Sequence, residues 1–231
     1  MSGTTIPLDA AEAYLVVRAR LTAELSAVTT EQAAGPVPCC PDWTVGDTVA
    51  HLVGVSADIL AGRLQDVGTP AWTAAQVAAG RGRLIHDLLA EWAGSGPRVA
   101  ELLAEVPKVM GQVAMDAVSH EYDLRDALGL PLPADAPGGD PVLPVAVDWV
   151  VSRFVRAAER AGHPPFGFRV GDRSWHYRQG EPQVIAEWPA LEALRALTGR
   201  RSRQQIRELP WSGDPGPWLP AFDWAVFEPL G

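Results

Sequence analysis

Apolar positions recur at helical spacing over the first two-thirds of the chain, shift to strand-like alternation, and return to helical spacing near the C-terminus. Leu8 to Val28 is rich in Ala, Leu and Glu, good helix formers throughout. A loop with Gly35, Pro36, Pro38 and Pro41 follows. Thr44-Val-Gly-Asp47 then has the form of a helix start, with Thr44 as N-cap and Asp47 near the positive end of the helix dipole. Val45, Val49, Val53, Ser56 and Leu60 form the main stripe of that helix, which the pattern carries to Leu64. A further helix is expected from Thr73 to Trp92, with Leu84, Leu88 and Trp92 on one face. A short helical piece comes after the Gly94 to Pro97 break. Pro107 opens a last long helix to Leu128, closed by Gly129 in a good C-terminal position. Four long helices predict a bundle.

The pattern stops at PLPADAPGGDP, Pro131 to Pro141, which reads as a linker between two units. The expected division is residues 1–135 and 136–231. A helix is expected from Leu143 to Gly162. FGFRV, SWHYR and QVIAEW, broken by Gly171-Asp172 and Gly180-Glu181-Pro182, predict three short strands. Pro189 to Leu197 and Ser202 to Glu208 read as helices, and the tail WSGDPGPWLPAF as a loop with buried aromatics. The second unit is therefore α+β.

Charge narrows the partners. Nineteen basic against 28 acidic residues give a net charge of −9. That disfavours nucleic acid or anionic membrane, because phosphate binding needs a basic face. No apolar run is long enough to span a bilayer. MSGTTIPLDAAEAYLVV lacks the basic and apolar blocks of a secretory signal. The only two cysteines, Cys39 and Cys40, are adjacent, a poor geometry for a mutual disulfide. A reduced, cytoplasmic protein is expected.

Five histidines are the main candidates for chemistry: His51, His86, His120, His163 and His176. Asp116 and His120 are four apart on the last bundle helix, hence on one face. That face also carries Val109, Val113, Leu124 and Ala127, so the pair points into the core. A buried carboxylate and imidazole are costly unless paired or bound to a metal. A hydrogen-bonded core pair and a ligand pair are both open. His86 lies opposite its apolar stripe and reads as a surface residue. His163, between Gly162 and Pro164, reads as loop, and His176 as strand. His51 points nearly opposite the valine stripe of its helix, so periodicity alone makes it exposed. No nucleophile elbow, P-loop, dinucleotide fingerprint, H-E-x-x-H or paired CxxC is present. Val170-Gly-Asp-Arg173 reads as a hairpin turn.

Three blocks in order carry a resemblance: CPDWTVGDTVAHL, then DAVSHEYDLRDALG, then LTGRRSRQQIRELPWSGDP. With them the chain, from Ala10 to the end, resembles the mycothiol-dependent maleylpyruvate isomerase family of actinobacteria, within the DinB-like superfamily. The W-[ST]-V-x-D-x-x-A-H block and the H-x-[WY]-D-x-x-x-A-L-G block are its most specific parts. The resemblance implies an α+β protein, with a DinB-like four-helix bundle followed by a small sterol-carrier-like domain. It implies one divalent metal, usually zinc, held by His51, Asp116 and His120. The family has glutamate where this chain has Asp116, one methylene shorter. His51 would then face the bundle interior, against the periodicity.

In such a family the thiol cosubstrate mycothiol binds as a metal-bound thiolate and attacks a small electrophile. Addition and release give isomerisation; retention of the adduct gives S-transfer. The resemblance also offers Arg200 and Arg201 as contacts for the cosubstrate, although a solvated basic helix start explains the pair equally well. Asp123 is a candidate to orient an imidazole from behind the metal. Two other readings stay open: a biosynthetic tailoring enzyme without mycothiol, and a non-catalytic small-molecule-binding protein.

Overall fold

The structure, a computed structural model, describes residues 8–225. Residues 1–7, part of the stretch read as lacking a secretory signal, lie outside the described residues, as do residues 226–231. The chain divides into two compact units, Met1–Val142 and Leu143–Gly231.

The first unit is helical. Helix α1 (Ala10–Leu25) starts at Asp9, whose carboxylate accepts from the Glu12 amide while Glu12 reaches back to the Asp9 amide. A short α2 (Thr30–Ala33) follows. The stretch read as a Pro/Gly loop holds a small antiparallel pair, β1 (Pro36–Val37) and β2 (Cys40–Thr44). Helix α3 (Val45–Leu60) opens on the expected box: Thr44 Oγ1 accepts from the Asp47 amide at 3.0 Å, and Asp47 Oδ2 from the Thr44 amide at 3.1 Å.

The single helix expected over Thr73 to Trp92 is two helices, α4 (Pro70–Gly80) and α5 (Ile85–Leu103). Gly82, at φ 80°, takes the left-handed turn between them. Leu84 caps α5 and is 52% exposed; the buried stripe is Ile85, Leu88, Leu89 and Trp92. Pro97 does not break α5 but lies within it. A proline has no amide to donate, which leaves the carbonyl four residues earlier unpaired. Arg18 Nη1 supplies a long hydrogen bond of 3.5 Å to that carbonyl, Ala93 O. Helix α6 (Pro107–Leu128) ends as expected at Gly129, φ 64°.

Helix α1 packs against α5 and α6, and α3 against α4 and α5. The Trp92 indole, fully buried, donates to the Tyr14 hydroxyl at 2.9 Å, which lies 2.8 Å from Ser56 Oγ. That chain joins α5, α1 and α3 and satisfies polar atoms whose burial unpaired would cost about 1–3 kcal/mol each. The Pro131–Pro141 segment is tied into the same unit. Asp140, 7% exposed, accepts from Arg20 Nη1, from the Tyr122 hydroxyl and from the Val142 amide.

In the second unit, α7 (Leu143–Arg160) precedes β3 (Gly167–Val170), β4 (Arg173–His176) and β5 (Ile185–Glu187). The sheet order is β4-β3-β5, antiparallel for β3 and β4 and parallel for β3 and β5. Gly171, at φ 60°, makes the two-residue hairpin turn. Helices α8 (Ala190–Leu197) and α9 (Arg203–Glu208) follow, and a 3-10 segment (Gly216–Ala225) replaces the expected loop. Trp218 and Phe222 of that segment are buried, as expected. Among the described residues no helix is long and apolar enough to cross a membrane.

Candidate metal centre

His51 is 4% exposed, contrary to its position on the helical wheel. A wheel assigns one inward face, but α3 is covered by neighbours on several sides. From Thr48 to Val53 every residue is buried. Trp43, at the end of β2, lies with its ring centre 5.1 Å from that of His51 and stacks on His120 at 5.6 Å. His120 lies on α6, 5% exposed, and its ring meets His51 edge-on at 5.1 Å.

Asp116 completes the group. Its Oδ2 is 3.3 Å from His51 Nε2, and its Oδ1 is 3.7 Å from His120 Nε2. One ligand atom from each of His51, Asp116 and His120 falls within 4.8 Å of the others. Ligands about 2.0–2.2 Å from a tetrahedral ion stand roughly 3.3–3.6 Å apart; the His51 spacing to Oδ2 falls in that range and the His120 spacing to Oδ1 just outside it, close to what a zinc-sized cation needs. The shorter aspartate therefore reaches both imidazoles. The α6 face is buried less fully than its sequence suggests: Val109 is 38% exposed, and the Asp116 side chain 32%. Two of the three side chains are thus deep and the third opens to solvent.

Behind each imidazole stands an acceptor. His120 Nδ1 is 3.1 Å from Asp123 Oδ2, and Asp123 is 1% exposed. Cys40 Sγ donates a long contact of 3.8 Å to the same oxygen. His51 Nδ1 is 2.8 Å from Gln76 Oε1 on α4. Asp123 was legible from its spacing to His120. Gln76 was not: its signal is a lone amide on the small-residue face of PAWTAAQVAAG, and the expected helix from Thr73 to Trp92 merged its helix with the next one.

The other candidates are not members of this group. His86 is exposed beside Asp87. His163 lies in the loop before β3, and His176, exposed, ends β4 with its Nδ1 2.8 Å from the Tyr177 carbonyl. Arg200 and Arg201 belong to the second unit. Arg201 forks onto Glu192 through two 2.7 Å bonds, and Arg200 Nη1 donates to the Thr198 carbonyl. Cys39 and Cys40 are half-buried thiols, and neither is in a disulfide.

Residues 15–125 match the mycothiol maleylpyruvate isomerase N-terminal domain. Two uncharacterized proteins from two strains of Mycobacterium tuberculosis are 29% identical over 109 residues, 46% of this chain. The match spans 59% of those relatives' own length. The solved mycothiol-dependent maleylpyruvate isomerase is similar with a TM-score of 0.59 at 13% identity. A histidine-to-alanine mutant of that enzyme gives 0.57 at 12%. Both likenesses cover 89% of this chain and 92% of the other. At such identity they show the fold, a helical N-terminal part followed by a small α+β part.

Proposed function

This chain belongs to the mycothiol maleylpyruvate isomerase family, and from that premise we propose that it is a metal-dependent, mycothiol-using transferase or isomerase acting on a small electrophile. The observation that carries the reading is the convergence of His51, Asp116 and His120. Two buried imidazoles and a carboxylate gathered around one point are costly without a cation or proton between them. A divalent ion, zinc first, would supply stabilisation of a thiolate at neutral pH when bound there.

The chain's own residues do the rest. His51, Asp116 and His120 would hold the ion, and Asp123 keeps the His120 ring in orientation from behind. Trp43 walls the group on the side of both imidazoles and limits water there. Asp116, on the more open side, marks where a thiol and a small electrophile can approach. Arg200 and Arg201 are assigned to the polar part of mycothiol, a cytoplasmic thiol in this reading.

The test is metal content by elemental mass spectrometry on protein purified without a histidine tag or chelator. About one divalent ion per chain is expected, and His120→Ala should reduce it to a trace; full occupancy in that variant would overturn the ligand set. The metal-loaded protein should consume mycothiol, or require it, in converting maleylpyruvate or a generic thiol-reactive electrophile. Arg200→Ala and Arg201→Ala should raise KM for mycothiol with metal content unchanged. A loaded protein indifferent to mycothiol would replace this reading with metal chemistry that needs no thiol.

A further inference from the structure

The side of His51 that faces away from Asp116 is built from three further side chains in sequence. Gln76 Oε1 lies 2.8 Å from His51 Nδ1. Gln76 Nε2 donates to Asp58 Oδ2 at 2.7 Å. Arg63 Nε donates to Asp58 Oδ1 at 2.8 Å. Gln76 is 4% exposed and the Asp58 side chain 13%, while Arg63 reaches solvent.

Helices α3 and α4 can bring these groups together because they touch through small residues. A Cβ on Gly54 would lie 2.6 Å from the Gln76 Cβ, and one on Gly80 would lie 2.2 Å from the Ala50 Cβ. Neither distance is possible for real side chains, so both positions require glycine. The two glycines set the approach that lays Gln76 against His51.

The direction of the relay follows from which atoms can donate. An ionised carboxylate only accepts. Asp58, charged and paired with Arg63, therefore draws the Gln76 amide nitrogen and turns the Gln76 oxygen toward His51. An oxygen there accepts, so His51 Nδ1 carries the proton. The tautomer of a histidine is set by the hydrogen bond its other nitrogen makes. In the neutral ring the lone pair then sits on Nε2, the atom beside Asp116.

We propose that Gln76, oriented by Asp58 and Arg63, is a positioning residue that locks His51 in the Nδ1-protonated tautomer and leaves Nε2 as its ligand atom. The orientation of Gln76 stands apart from the metal reading above; the use made of Nε2 rests on it, because without an ion the Asp116 carboxylate, 3.3 Å from Nε2, competes for the ring proton. Gln76 thus does for His51 what Asp123 does for His120, with a neutral amide in place of a charge.

The test is long-range proton–nitrogen correlation NMR near pH 8.5, where an ordinary imidazole is neutral, on metal-free protein carrying Asp116→Ala, which removes the competing acceptor at Nε2. In that background the His51 ring is expected to show a protonated Nδ1 and an unprotonated Nε2. Gln76→Leu added to it should lose that preference, and Asp58→Asn should weaken it, because the amide can then turn round. The pair Gln76→Glu with Asp58→Asn reverses the roles of the two side chains and should restore it. With Asp116 in place, zinc affinity, by competition with a chelator, should fall about 10- to 100-fold in Gln76→Leu and recover in Gln76→Glu with Asp58→Asn. A His51 protonated at Nε2 in the Asp116→Ala background, or a tautomer and affinity unmoved by Gln76→Leu, would overturn the relay. An Nδ1-protonated ring in that background, with no affinity for zinc in the protein that keeps Asp116, would leave the relay standing and remove the metal reading instead.

Discussion

The two units bury different kinds of side chain. Every buried Asp, Glu, Arg, His, Gln, Ser or Thr among the described residues lies in the first unit. The second unit has an interior of rings instead: Phe154, Phe166, Phe168, Trp188 and Phe222 form a cluster whose neighbouring rings lie 4.6–6.5 Å apart centre to centre, all tilted or edge-on. Aromatic packing of that kind is stable without partners for polar groups. Burying charge is not, and in the first unit each buried charge has its own bonded group. Arg125 binds Glu121, Glu24 and the Pro131 carbonyl. Arg20 holds Glu121 and Asp140. Burial pushes the Glu121 carboxyl up, against the pull of Arg20 and Arg125. Burial, and then the Asp140 carboxylate, push the Tyr122 hydroxyl up as well. The contrast teaches where chemistry is to be sought: a fold keeps costly buried polar groups where a ligand or a fixed geometry needs them, and α6 presents both kinds on successive residues.

The contrast can be broken from either side. The largest effect on stability is expected in the ring core: Phe154→Ala should cost about 3–5 kcal/mol in denaturant unfolding while the metal content of the folded protein stays that of wild type. Loss of metal along with stability would mean that the two interiors are not separable. In the first unit, Asp140→Ala strands the Tyr122 hydroxyl, takes from Arg20 one of its two carboxylates, and should cost about 2–3 kcal/mol. A near-neutral result would show that the Pro131–Pro141 segment is dispensable to that unit. The smallest effect belongs to the α3 box. Burial disfavours the Asp47 charge, but the Thr44 backbone and side chain together with Arg81 outweigh it and hold the carboxyl below its usual value of 3.8. A lowered folded-state pKa stabilises above the unfolded value and ceases to do so as pH falls through the folded one. Asp47→Asn should therefore cost about 1 kcal/mol at neutral pH, and the gap to wild type should close on acidification below about pH 4. A gap that persists in acid would assign the loss to packing rather than to charge.

How much was legible depends on the range of the interaction. The Thr44–Asp47 box, the Gly129 terminus, the Gly171-Asp172 turn and the β3–β4 hairpin around it rest on contacts within a few residues, and the chain shows them directly. The break between α4 and α5 and the survival of α5 through Pro97 were not legible. The first turns on a left-handed Gly82, and the second on Arg18, almost eighty residues away in the chain, reaching the orphaned carbonyl. His51 was misplaced by periodicity because a wheel cannot know that α3 is covered on several sides, and only the order of motifs pointed it inward.

The sequence by itself determined the local elements, the division into a helical and an α+β part, and the family to which the residues around His51 and His120 belong. Caps, turns and strand alternation are local balances of hydrogen bonding and sterics, so a short window contains all their terms. Tertiary structure alone decided that Asp116 reaches both imidazoles, that Trp43 stacks against them, and that Gln76 stands behind His51. Those distances depend on how closely α3, α4 and α6 approach, and that approach is set by the absence of side chains at Gly54 and Gly80 as much as by any residue that is present.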